Sequence, residues 1–70
     1  MNLIFFNDTR RLVRIHPATI SHGCKVNKEP INPLEDRVFV LPEGSFPWVK
    51  MWDNAQLGLT ILVSPMKEVE

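Results

Sequence analysis

His16, His22 and Cys24 are the residues of this sequence whose types and spacing come closest to metal or nucleophile chemistry. On extended chain, positions two apart send their side chains to the same side, so His22 and Cys24 are expected to point together. A turn at Pro17 would bring His16 back toward them. Imidazole nitrogen and thiolate sulfur are zinc ligands, and three of them begin a site. The set has no second cysteine and no CxxC pair, so metal binding ranks third among the functions considered. The plainer expectation is that Cys24 is a small buried hydrophobe, that the histidines belong to loops, and that no cofactor is needed. A nucleophilic Cys24 with His22 as base requires a lowered thiol pKa and an orienting third group, and the sequence offers neither. There is no glycine-rich phosphate loop, no GxSxG and no HExxH, and Glu35-Asp36 reads as a solvated pair before a strand. The chain is expected not to be an enzyme.

A second group is aromatic. Phe46, Trp48, Lys50 and Trp52 alternate along one stretch and share one face of any strand that forms there. Tryptophan flanked by Phe46, Val49 and Met51 suits an apolar anchor in a protein interface, and the partner expected is a second copy of the chain or another protein. The alternative is a stacking platform for single-stranded nucleic acid, with Arg10, Arg11, Arg14 and Lys25 as its basic contacts. Against that alternative, formal net charge is zero. Residues 1–28 carry a surplus of four positive charges and residues 29–70 a surplus of four negative ones. Such halves attract each other within a fold or between copies, and no excess remains to hold a polyanion.

Elements must position these groups, and 70 residues supply one small domain with a thin margin of stability. A single cysteine excludes an internal disulfide and fits a reducing compartment, so the chain is expected to be cytoplasmic. The longest N-terminal apolar run, Leu3–Phe6, is too short for a signal peptide or a membrane span.

Six prolines and the lack of any long 3.6-residue periodicity predict an all-β fold. The form expected is an antiparallel sandwich or partly open barrel of five to six strands. Asn2–Phe6, apolar from Leu3 onward, predicts a strand covered on both faces, followed by a turn at Asn7-Asp8-Thr9. Arg10–His16 predicts a peripheral strand. Ala18–Ser21 and Cys24–Val26 predict one bulged strand or a short hairpin. Asn27–Leu34 is a loop, and Arg37–Leu41 is a strand.

Pro42-Glu43-Gly44 predicts a hairpin turn, with Val40 facing Phe46 and Val38 facing Trp48. A turn over Asp53–Gly58 leads into a last strand, Leu59–Val63, which Pro65 ends. Residues 66–70 are expected to fray. In this reading the hairpin is apolar on both faces, which is more than one small core can use, and the surplus face is the candidate binding surface.

Overall fold

The computed structural model describes residues 1–56 and 58–67. Strands account for 53% of the chain and helix for 6%, so the molecule is all-β. Among the described residues there are five strands and one helical turn: β1 (Asn2–Phe6), β2 (Val13–Ile15), α1 (Ala18–Ser21), β3 (Asp36–Val40), β4 (Ser45–Asn54) and β5 (Gly58–Lys67). They form a two-stranded sheet, β1-β3, and a three-stranded sheet ordered β2-β5-β4, and neither closes into a barrel.

Partner choice differs from the expected hairpin. Gly44 takes the left-handed φ of 76° that the Pro42-Glu43-Gly44 turn requires, and the Ser45 hydroxyl donates to the Pro42 carbonyl. The turn nevertheless carries the chain from one sheet to the other. β3 pairs antiparallel with β1, Val38 facing Ile4, and β4 pairs antiparallel with β5, Trp48 facing Ser64. Val38 and Val40 therefore do not share a face with Phe46 and Trp48. β2 pairs with β5 in parallel, so the three-stranded sheet is mixed rather than antiparallel. The long chain between the two strands supplies the crossover that parallel pairing needs.

Four further expectations are corrected. Arg10–His16 contributes only Val13–Ile15 to the ladder, because Arg10 turns left-handed at φ 65°. Ala18–Ser21 is a helical turn and not strand; the His16 Nδ1 accepts the Ala18 amide at 3.0 Å and opens the turn with a side-chain bond. β5 runs through Pro65 to Lys67, so Met66 and Lys67 are paired and only residues 68–70 of the expected tail lie outside the described residues. β1 is covered on one face alone among the described residues, with Ile4 65% exposed and Phe6 also outward.

The core lies between the sheets. Val13, Cys24, Ile31, Phe39, Leu41, Ile61 and Val63 form it, with Leu3, Phe5, Ile15, Val26 and Leu59 packed around. Alternation sends Phe39 inward and Val38 and Val40 outward, as period two dictates.

Two polar side chains organise the connections. Asn7 is fully buried; its Nδ2 donates to the carbonyls of Arg11 (2.7 Å), Ile31 (2.9 Å) and Asn32 (3.1 Å), and its Oδ1 accepts the Thr9 amide and hydroxyl. Arg37, also buried, donates to the carbonyls of Asn27 and Glu29 (2.6 Å each) and Pro30 (3.3 Å), and to the Glu35 carboxylate at 2.6 Å. The proline-bearing loop thus wraps around a guanidinium.

That arrangement sets an acid sensitivity. The hydrogen bond from Arg37, seconded by the Asn32 amide, holds the Glu35 carboxyl below its ordinary value. The hydrogen bond from Arg11 does the same for Asp53. A carboxyl depressed in the folded state stabilises fully above its unfolded pKa of about 4 and loses that contribution as pH falls through the folded value. The urea midpoint is expected to be level from pH 7 to 5 and to decline below about pH 4. Glu35→Gln should lower the neutral-pH midpoint and flatten part of that decline. An unchanged acid limb in this variant would remove Glu35 from the account.

Candidate functional site: the open strand β4

Strand β4 is ten residues long and stands at the end of its sheet, with β5 on one side. Its sequence, SFPWVKMWDN, is rich in the aromatic and branched residues that favour strand, and it crosses Pro47 without interruption because Pro47 faces Pro65. Two facing prolines cost no ladder bond where the pair is non-hydrogen-bonded.

No β4 side chain belongs to the core cluster among the described residues. The outer face shows Phe46 (43% exposed), Trp48 (44%), Lys50 and the half-buried Trp52. On the inner face, Val49 (47%) and Met51 (38%) are exposed although they face the buried Val63 and Ile61. Contiguous apolar surface exposed on a strand marks an interaction site, a ligand groove or an aggregation liability.

The outer face is ordered by local contacts. The His16 ring lies 5.6 Å from that of Trp52 at an interplanar angle of 50°. The Lys50 ammonium stands 5.2 Å from the centroid of the same tryptophan, a cation–π arrangement that lays the lysine stem along the strand. Arg14 is in register with Thr60, which faces Trp52, so Arg14 shares this face too.

The other basic candidates are spread elsewhere. Arg11 forms a two-pronged ion pair with Asp53, at 2.9 and 3.1 Å. Its guanidinium is pushed further toward the charged form by that hydrogen bond. Arg10 is exposed in the turn before β2, and Lys25 bridges Val40 of the other sheet. The four basic residues are thus not gathered into one surface.

The three candidate metal ligands, which ranked third in the sequence reading, are each engaged in separate contacts. His16 is engaged with the Ala18 amide and Trp52, and the His22 Nδ1 is 3.0 Å from the Ser64 hydroxyl. The Cys24 thiol donates to the Val63 carbonyl at 3.4 Å, and burial pushes its pKa up, away from the thiolate that a metal or an electrophile would need. No group of three or more His, Cys, Asp or Glu among the described residues is placed to hold a metal. A depression of about 280 Å³ lies at the seam between the segments Gly23–Lys25 and Val40–Pro42, with Lys25 as its one charged group.

What sequence reasoning missed is the edge itself. Parity identified the aromatic face, but that no strand lies beyond β4 among the described residues follows from which strands pair. No local signal encodes that.

Fold and site together describe a small two-sheet β protein with an aromatic terminal strand. Comparison with protein-family models, with curated proteins and with solved structures gives no match to the chain. No helix among the described residues is long and apolar enough to cross a membrane.

Proposed function

We propose that this chain is a non-enzymatic assembly module, a small β-sandwich that associates with a further copy of itself through strand β4. One observation carries the reading: among the described residues, a ten-residue terminal strand rich in aromatic and aliphatic side chains adds none of them to the core cluster. A 70-residue domain has little apolar surface to spare, so leaving Phe46, Trp48, Val49 and Met51 in water is costly at about 25 cal/mol per Å². A second strand laid alongside β4 recovers part of that cost. The separated charge of the two halves favours contact between copies, and the buried free thiol of Cys24 suits a reducing setting such as the cytoplasm.

Sedimentation tests this directly. The protein is expected to be dimeric or larger at tens of micromolar, and Trp48→Glu should weaken association about 30-fold or more, as removal of an aromatic anchor does. Because Trp48 lies outside the core, the variant should still fold. A wild-type monomer that resists concentration would sink the reading.

A second reading draws on the row Arg14, Thr60 and Trp52, with Lys50 and Trp48 beside it: basic and stacking groups on one face, as single-stranded nucleic acid prefers. It calls for salt-sensitive binding of an oligonucleotide that weakens in Arg14→Ala. Absence of binding at low salt would end it.

A further inference from the structure

Resting on the self-association just proposed, we infer that two copies join edge to edge, β4 antiparallel to β4, in the register that sets Met51 opposite Met51 of the partner subunit.

The direction of the backbone groups comes first. Val63 sends its N–H to the Thr19 hydroxyl at 3.1 Å and accepts the Cys24 thiol on its carbonyl. Ile61 accepts the His16 amide at 2.8 Å. All of these bonds lie on the side of β5 away from β4. Residues facing each other in an antiparallel ladder alternate between bonded and non-bonded pairs. Val49 and Met51, which face Val63 and Ile61, therefore occupy non-bonded positions and turn their own N–H and C=O outward. The same alternation includes Asp53 and Pro47. The open edge thus offers donors at Val49, Met51 and Asp53, with a gap at Pro47.

Symmetry then selects the register. Two copies of one strand pairing antiparallel are related by a two-fold axis normal to the sheet, so facing residues have the same parity. Centring on Trp48 or Val49 sets an outward residue against Pro47 of the partner subunit, which has no donor. Centring on Lys50 brings two ammonium groups face to face, a destabilising pair. Centring on Trp52 sends Val49 beyond the end of the partner's strand. Centring on Met51 pairs Val49 with the partner's Asp53, and every outward donor from Val49 to Asp53 finds an acceptor. It also sets Lys50 opposite the partner's Trp52, repeating across the interface the cation–π contact that Lys50 makes at 5.2 Å within its own chain.

Two measurements test the register. In the wild-type dimer, the amides of Val49, Met51 and Asp53 are expected to exchange about 100-fold more slowly than in the diluted monomer. Those of Trp48, Lys50 and Trp52, bonded to β5, should be slow in both. In a Cys24→Ala background, Met51→Cys should oxidise to a covalent dimer, since bonded antiparallel pairs hold their Cα atoms about 5.5 Å apart, within disulfide reach. Val49→Cys should not. Protection of the outward amides with cross-linking at residue 51 supports the inference. An oligomer whose outward amides exchange freely, or that cross-links through residue 49, overturns the register and leaves self-association standing. A monomer at every concentration removes both. Should either cysteine variant misfold, amide exchange in the wild type still decides whether the edge is used.

Discussion

Asn7→Asp is expected to unfold the protein at neutral pH, although the replacement is nearly the same size and shape. The Asn7 amide nitrogen is fully buried and faces three carbonyl oxygens, those of Arg11, Ile31 and Asn32. A carboxylate presents an unprotonated, negative oxygen to the same three acceptors. Burying an unpaired charge beside like dipoles costs about 4 kcal/mol or more. Stability of about 0.05–0.15 kcal/mol per residue gives a chain of this length roughly 4–10 kcal/mol in all. Burial raises the new carboxyl's folded pKa above its unfolded value, so the deficit is largest at neutral pH and shrinks as pH falls through the folded value. Circular dichroism should therefore show partial recovery of sheet near pH 5, before the general loss in acid. A variant as stable as wild type at pH 7 would mean that the Asn7 amide is not the hub of these loops.

Arg37→Met is expected to cost about 3 kcal/mol, because the apolar stem is retained while the carbonyls of Asn27, Glu29 and Pro30 lose their common donor. Glu35 loses its partner as well. The urea midpoint should fall, and the variant should also lose the part of the acid dependence that comes from Glu35. Arg37→Lys should recover little, since one ammonium cannot reach carbonyls spread along the loop as a planar guanidinium does. A small loss of stability in Arg37→Met with the acid limb intact would show that the loop is held by other means.

Neither residue could be read from the sequence. Asn7 and Arg37 bond mainly to backbone carbonyls, which carry no side-chain signature. What was legible had local chemistry behind it. Glycine and asparagine marked the turns near Asn7, Gly44 and Gly58, and period two separated Phe39 from Val38 and Val40 and grouped Trp48, Lys50 and Trp52 on one face.

Pairing was not legible. Strands β1, β3, β4 and β5 are apolar on both parities, so hydrophobic pattern fixes neither partner nor register. Pro42-Glu43-Gly44 serves a change of sheet as well as a hairpin. The helical turn at Ala18–Ser21 is too short to show a period. The candidate site was legible to the same extent: its aromatic face came from alternation, and its open edge came from topology.

The far side of the three-stranded sheet gives that edge a further meaning. There β2 is closed by Ile31, whose N–H and C=O both bond to Val13 at 2.8 and 3.0 Å. Beyond the end of β2, the Thr19 hydroxyl and the Cys24 thiol occupy the backbone groups of Val63. In the dimer proposed above, a second copy added at β4 would bring this covered side outward at both ends of the joined sheet. Thr19 and Cys24, on the side of β5 away from β4, would then help to limit that sheet to two chains.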